Sequence, residues 1–204
     1  MSIGFYRRLM MLQQPHYFIA IPLSKEMQSA CRKEQAILRS KLPYKQWVHE
    51  LDFHITLKFL GPVSDSKVWE LVKKLQTISF SPFYVQVGGI GTFGSTDKPR
   101  VIYSAVQSTE ALTDLAKQVQ FVAVQEGFSS EERPYIPHIT LAKKWAGTGS
   151  MEKEIAQTKR MNHSINRLYV DRFVLYQIFP KEQPKYNVKA CFKALGGENT
   201  GAID

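Results

Sequence analysis

The chain has 204 residues, of which 44% are hydrophobic and 22% are charged, and its 27 lysines and arginines outnumber 18 acidic residues to give a formal net charge of +9. This length can bury a sizeable core as one domain, the composition is that of a soluble globular protein, and the absence of a long apolar run excludes a membrane span. The positive charge favours an anionic partner, of which nucleic acid is the commonest.

The two cysteines, Cys31 and Cys191, have no spacing that suggests a disulfide framework, so we expect reduced thiols in a cytoplasmic protein. The apolar run beside Arg7 and Arg8 is too short for a secretion signal, and no small-residue cleavage site follows it.

Apolar periodicity and turn residues predict an alternation of strands and helices along the chain. Strands are expected at 17–21, 47–48, 54–60, 83–87, 100–106, 138–141, 166–179 and 186–195. Helices are expected from Ser24 to about Leu38, from Ser64 or Asp65 to about Gln76, from Ser108 or Thr109 to about Gln125, and from Ser150 to Gln157. The glycines at 88, 89, 91 and 94 predict a loop.

This order predicts an α+β protein of two similar lobes, each a mainly antiparallel sheet backed by helices, with a cleft between them. We expect residues 15–195 to form this single bilobal domain. Residues 1–14 are expected to be an extension ahead of the fold, and the polar, glycine-containing residues 196–204 a disordered tail.

The tetrapeptide His-Ile-Thr-Leu occurs twice, at 54–57 and again at 138–141. Residues i and i+2 of a strand point to the same face. His54 and Thr56 therefore project together, as do His138 and Thr140 in the second copy. If the two strands face one another, two imidazoles and two hydroxyls converge on one small volume.

Two histidines suit in-line attack at phosphorus, because one imidazole can take a proton from the attacking oxygen while the other protonates the leaving oxygen. Two hydroxyls can donate hydrogen bonds to the phosphate oxygens on which charge accumulates. This chemistry requires no metal or other cofactor.

Other interpretations of these residues remain open. Either motif alone fits an ordinary core histidine beside an ordinary strand threonine, but two copies in a basic chain with five histidines favour a site. A zinc site needs about three or four protein ligands, and neither copy supplies a third at ligand spacing. Lys58 fits either a phosphate contact or a solvated strand end, and Phe18 fits either the core or the cleft wall.

At these residues the chain resembles the 2H phosphoesterase superfamily, and within it the branch of RNA 2′,3′-cyclic phosphodiesterases, historically called 2′-5′ RNA ligases. The resemblance extends over about residues 17–195. It is strongest in the segments Tyr-Phe-Ile-Ala-Ile-Pro at 17–22, His-Ile-Thr-Leu-Lys-Phe-Leu-Gly at 54–61 and Arg-Pro-Tyr-Ile-Pro-His-Ile-Thr-Leu at 133–141.

The resemblance implies a bilobal, pseudo-twofold fold and metal-free hydrolysis of a terminal 2′,3′-cyclic phosphate to a 2′-phosphate. It implies that His54 is the proton donor to the leaving 3′ oxygen, that His138 is the base that activates water, and that Thr56 and Thr140 hold the phosphate. The expected partners are RNA ends or nucleotides with a 2′,3′-cyclic phosphate, bound by a monomer away from membranes.

The chain also departs from the family pattern. Lys143 stands where the family often has arginine, and a lysine keeps the charge but loses the bidentate fork. Strict alternation would turn Lys143 away from His138, so it reaches the phosphate only if the strand twists or bulges. Phe18 is a candidate for stacking on a base.

Two alternative functions use the same residues. One is cleavage or ligation of 2′-5′ linkages at the same site, and the other is an RNA-binding module with a basic cleft and no useful catalysis.

Overall fold

The computed structural model describes residues 14–148, 152–160 and 164–195, which form an antiparallel sheet backed by helices. The strands are β1 (His16–Pro22), β2 (Tyr44–Trp47), β3 (His54–Pro62), β4 (Phe83–Gly94), β5 (Pro99–Val106), β6 (His138–Trp145), β7 (Asn166–Val170), β8 (Arg172–Ile178) and β9 (Tyr186–Lys193). The helices are α1 (Lys25–Arg39), α2 (Asp65–Leu75), α3 (Glu110–Gln125) and α4 (Glu152–Arg160), with a single 3-10 turn at Glu50–Asp52. The predicted α+β class is confirmed.

Some expectations concern residues outside these ranges. They are the extension, apart from Gln14, the tail at 196–204, and the start of the helix predicted from Ser150. None of the helices in the described ranges combines the length and the apolar character that crossing a membrane requires.

The strand order is β7-β4-β5-β6-β3-β1-β8-β9, with β2 paired to β6. We call β1, β3, β8 and β9 the first half of the sheet, and β2, β4, β5, β6 and β7 the second half. The halves meet where β3 runs antiparallel to β6, through the single residue pair Ile55–Ile139. The two predicted sheets are therefore joined edge to edge at the His-Ile-Thr-Leu strands.

Side-chain caps mark the beginning of helices α1 and α3. The Ser24 hydroxyl accepts a hydrogen bond from the Met27 amide at 3.3 Å, and Thr109 caps α3 in the same way. The helices turn apolar stripes towards the sheet, and each large side chain buried there contributes about 1.5–3 kcal/mol. Fully enclosed members of this core include Leu38, Ile55, Leu71, Leu75, Ile102, Leu112 and Leu141.

The predicted glycine loop after Val87 is wrong, because β4 continues to Gly94. An extra residue bulges β4 at Gly88 and Gly89, where Gly89 has φ +79°. A Cβ at Gly88 would lie 2.7 Å from the Ser164 carbonyl oxygen, and one at Gly91 would overlap the Tyr103 ring. These glycines allow close approach within a strand, which composition alone does not distinguish from a loop.

The single strand predicted over 166–179 is also wrong. Asp171 separates β7, which pairs with β4 in the second half, from β8, which pairs with β1 in the first. Its carbonyl oxygen accepts a hydrogen bond from the Ala194 amide at 2.7 Å. One residue is enough to transfer the chain between the halves, so the apolar alternation continues without a visible break.

Candidate active site

The two His-Ile-Thr-Leu motifs begin β3 and β6 and meet at the junction of the halves. Ile55 and Ile139 are fully buried against the helices, whereas the histidines and threonines beside them are only partly buried. In an antiparallel pair centred on Ile55 and Ile139, His54 lies across from Thr140 and Thr56 across from His138. A local twofold axis thus brings all four predicted side chains together on one face of the sheet.

Both imidazoles are held in the same way. The Nδ1 atom of His54 lies 2.7 Å from the Asp52 carbonyl oxygen, and the Nδ1 atom of His138 lies 2.8 Å from the Ile136 carbonyl oxygen. Because a carbonyl oxygen only accepts, each Nδ1 carries the hydrogen, and each Nε2 is left to exchange a proton with a ligand.

Asp52 also fixes its surroundings. Its buried carboxylate accepts a hydrogen bond from the Lys185 amide at 2.8 Å, which ties the turn between β8 and β9 to the carbonyl that holds His54. Burial raises the pKa of this carboxyl group, and the hydrogen bonds from the Lys185 and Tyr186 amides oppose the rise.

Aromatic rings pack around each imidazole. The ring centroids of Phe18 and Tyr186 lie 4.7 and 5.2 Å from that of His54. Those of Phe93 and Tyr103 lie 4.8 and 5.1 Å from that of His138. These rings restrict imidazole rotation and exclude water. Of these four rings the sequence pointed only to Phe18, because contacts between strands that are distant in sequence leave no local pattern.

Matching bulges follow the two motifs. In the pairing of β3 with β1, the partner changes from Thr56 to Lys58, so Leu57 is the extra residue. In the pairing of β6 with β5, Leu141 is the extra residue in the same way. Each bulge reverses the alternation of the side chains that follow it.

The bulge at Leu141 turns Lys143 to the face that carries His138. Lys143 was expected to reach the phosphate only if the strand twisted or bulged. The charge of Lys143 lowers the pKa of both histidines, so its ammonium group is close enough to act on each. The equivalent position in the first half is occupied by Phe59, with 57% of its surface exposed. Phe59 was not among the predicted site residues, although it lies as far after His54 as Lys143 lies after His138.

The same reversal takes Lys58 out of the cleft, so neither expectation for this residue holds. Its side chain is buried, and Nζ donates hydrogen bonds to the Ser129 carbonyl oxygen at 2.6 Å and to Glu131 Oε1 at 3.1 Å. It anchors the segment that leads towards β6.

Phe18 is not available to stack on a base. Only 1% of its surface is exposed, because the rings of His54, Phe59, Tyr176 and Tyr186 surround it. Phe18 packs against His54 instead, and Phe59 is the most exposed ring of this group.

The cleft disfavours positive charge when it is empty. Burial lowers the pKa of His54 to about 4, and the charges of Lys143 and His138 act in the same direction, whereas the bond to the Asp52 carbonyl opposes them. Burial and Lys143 likewise lower the pKa of His138. Although Lys143 keeps contact with solvent, the cleft walls and the charge of Lys185 lower its own pKa. The cleft is therefore prepared for an anion, which would relieve this mutual repulsion.

The donor set is poor in metal ligands. Among the residues that the structure describes, no three histidine, cysteine, aspartate or glutamate side chains are grouped closely enough to hold a metal ion.

Solved structures share the fold of this chain. Escherichia coli LigT complexed with 3′-AMP matches 90% of this chain and 99% of its own, with a TM-score of 0.73 and 23% identity. A Thermus thermophilus protein matches 90% of this chain and all of its own, with a TM-score of 0.71 and 22% identity. These likenesses establish the fold.

The chain belongs to the family of LigT-like phosphoesterases, whose model matches residues 21–103 and 105–186. It is 33% identical over 178 residues to the RNA 2′,3′-cyclic phosphodiesterase of Bacillus subtilis, covering 85% of this chain and 93% of the relative. It is 35% identical over 200 residues to a protein of the same name from Geobacillus stearothermophilus. That match covers 94% of this chain and 63% of the relative's length.

Proposed function

We propose that this phosphoesterase hydrolyses the terminal 2′,3′-cyclic phosphate of RNA to a 2′-phosphate, without a metal, by two-histidine acid–base catalysis. The names of its relatives support the substrate class. The observation that carries the proposal is the pair of imidazoles held alike through Nδ1, each leaving Nε2 to the shared face.

In the proposed reaction a water oxygen attacks phosphorus opposite the 3′ oxygen. The Nε2 atom of His138 accepts the water proton as the new P–O bond forms. The Nε2–H group of His54 gives its proton to the 3′ oxygen as the P–O3′ bond breaks, leaving a 3′-hydroxyl and a 2′-phosphate. The proton that His138 gained and the one that His54 lost are exchanged with solvent before the next turnover.

The other predicted site residues would stabilise the negative charge of the phosphate. Thr56 and Thr140 lie across from the opposite histidine and would donate hydrogen bonds to the non-bridging oxygens of the phosphate. Lys143 would balance the negative charge of the bound ester, and the negative charge of that ester would raise the low histidine pKa values towards the working range. This explains how a site with a His54 pKa of about 4 can hold an acid near neutral pH.

The test is turnover of an oligonucleotide with a 2′,3′-cyclic end in the presence of EDTA. We expect hydrolysis to continue at the rate seen without chelator. Loss of activity with EDTA, and recovery with added metal, would contradict the metal-free mechanism. Absence of turnover in both conditions would favour an RNA-binding module.

The histidine assignments are tested by His54→Ala and His138→Ala, with the melting temperature as the measure of folding. Each variant should lose at least about 10²–10⁴ of the rate, which is the usual contribution of one proton transfer. His49→Ala is the matched control, because His49 lies close in sequence but outside both motifs, and its side chain accepts a hydrogen bond from the Leu51 amide at the start of the 3-10 turn. Activity within about tenfold of the parent in either test variant would remove its assigned role.

A further inference from the structure

The face of the sheet that carries His138 continues beyond the site to the outer strands β4 and β7. Gln86 pairs with Arg167, and Tyr84 pairs with Tyr169, so these four side chains lie on one face. Their neighbours on the opposite face, Val85, Val87, Leu168 and Val170, are buried against the helices. The four residues therefore face away from the helices.

This is the same face as that of the histidine. Tyr103 pairs with Thr140 and Gly91 pairs with Tyr103, which puts Gly91 and Phe93 of β4 on the side of His138. β4 has one extra residue at Gly88 and Gly89, and this bulge reverses the alternation of the side chains. Gln86 and Gly91 therefore lie on the same face, although they are an odd number of residues apart. This face thus continues from β6 across β5 and β4 to β7, which is three inter-strand spacings or about 14 Å across the strands. Tyr84 also lies three residues along β4 from Val87, the partner of Val106.

The far end of this surface has the composition of a stacking platform. The exposed fractions of Tyr84 and Tyr169 are 52% and 49%, and their ring centroids lie 4.9 Å apart. The guanidinium carbon of Arg167 lies 4.3 Å from the centroid of the Tyr84 ring. We call these three residues the tyrosine platform. Large aromatic rings left exposed on a sheet, beside an arginine, indicate a partner with flat rings and negative charge.

We propose that the tyrosine platform binds nucleotides of a single-stranded RNA upstream of the end that is held between His54 and His138. The inference rests on the proposed function for the location of that end. Its own support is the continuity of the surface with the site, the two exposed tyrosine rings in contact, the adjacent guanidinium group and the net charge of +9. It adds a substrate preference: oligonucleotides should be better substrates than cyclic mononucleotides.

The experiment compares two substrates, 2′,3′-cyclic AMP and a cyclic-ended oligonucleotide of about eight nucleotides, a length within the site sizes of single-strand binders. In Tyr84→Ala/Tyr169→Ala, kcat/KM for the oligonucleotide should fall about tenfold or more through KM, the usual result of losing a base-stacking ring. The value for cyclic AMP should be unchanged. Tyr84→Phe/Tyr169→Phe keeps both rings and should retain the parental preference.

Phe121→Ala is the matched control, because Phe121 is a similarly exposed ring, at 65%, on helix α3. It should affect neither substrate. An equal loss on both substrates in the double alanine variant, or no loss on either, would overturn the proposal. So would a change from dimer to monomer in that variant with oligonucleotide turnover unchanged, which would assign the platform to a second copy of the chain.

Binding is measured separately, by fluorescence anisotropy with the same oligonucleotide ending in a 2′-phosphate. Arg167→Gln should reduce the slope of log Kd against log salt by about 0.7–1, the value of one phosphate contact. If the parent binds this RNA and the platform variants bind it more weakly, the platform is supported even where cyclic ends are not hydrolysed. If the platform variants bind like the parent, the platform proposal fails whatever the activity.

Discussion

The hydroxyl groups of Thr56 and Thr140 test whether the site contacts phosphate directly. Neither forms a side-chain hydrogen bond with another residue in the described part of the chain, so both can donate to a ligand. We expect Thr56→Val and Thr140→Val each to lower kcat by about 10²–10³, the usual effect of losing one donor to a developing charge. Valine keeps the shape, and Thr92→Val on β4 serves as a substitution outside the motifs. Parental kinetics in both motif variants would mean that the hydroxyls do not touch the phosphate.

The lowered histidine pKa values predict the pH dependence of the reaction. The proposed mechanism needs one proton on the pair of His54 and His138, and the fraction of the protein with one proton on this pair is greatest between their two pKa values. Both lie below the ordinary value of 6.5. In the free protein this fraction falls about tenfold per pH unit above the higher pKa. A profile of kcat/KM should therefore have its optimum below pH 6.5, and an optimum well above it would contradict the lowered pKa values.

Lys143→Met should move that profile in a defined direction. Its positive charge lowers the pKa of both histidines, so its removal should raise both values and shift the alkaline limb to higher pH. KM should rise as well, because a counter-charge for the phosphate is lost. Lys144→Met removes the same charge from the next residue and should leave the limb in place. Lys143→Arg should keep the parental profile.

Among the structural elements, β4 shows how a small residue in a strand supports the site. Gly91 makes room for the Tyr103 ring, which packs against His138. Gly91→Ala should displace that ring, lower stability by about 1–3 kcal/mol as overpacked sites do, and reduce activity. Thermal or urea unfolding, run alongside kcat, measures both effects.

A double-mutant cycle isolates the cause of this effect. If the clash is with Tyr103, the stability cost of Gly91→Ala/Tyr103→Ala should be smaller than the sum of the costs of the two single variants. Strict additivity would mean that Gly91 is required for some other reason.

The strand bulges mark the limit of what the sequence could predict about these elements. Repetition of His-Ile-Thr-Leu and its alternation were enough to place His54, Thr56, His138 and Thr140 together. The same alternation placed Lys58 in the cleft, and bulges at Leu57 and Leu141 reverse that order. A bulge depends on the register of two strands that are distant in sequence, so no local pattern reveals it. Phe93, Tyr103 and Tyr186, which pack around the imidazoles, escaped prediction for the same reason.

At the scale of the whole molecule, the pseudo-twofold arrangement raises the question of direction. The two motifs are related by symmetry, and a nucleotide bound in the reversed sense would exchange the roles of the histidines. Phe59 and Lys143 break this symmetry, because they occupy equivalent positions with an exposed ring in the first half and a cation in the second. A base stacked on Phe59 would hold the substrate in one orientation.

The phosphate isomer of the product reports that orientation. We expect only a 2′-phosphate from a cyclic-ended oligonucleotide, identified by chromatography against both standards. Phe59→Ala should raise KM about tenfold, as expected for one stacked base, and should release some 3′-phosphate if the ring alone fixes the orientation. A parental enzyme that yields the 3′-phosphate would require His54 and His138 to exchange roles.

The passage of the chain from one half of the sheet to the other at Asp171 affects how the molecule unfolds. Neither half of the sheet is a continuous stretch of sequence. In the first half β1 pairs with β3 and with β8, which lies beyond residue 171, whereas in the second half β4 pairs with β7, just before that residue. No single cleavage of the chain can divide it into two self-contained units, and each half needs partners that are distant in sequence. The halves should therefore unfold in one cooperative transition, with equal calorimetric and van't Hoff enthalpies. The pairing of His54 with His138, which depends on both halves, would be lost in that same transition.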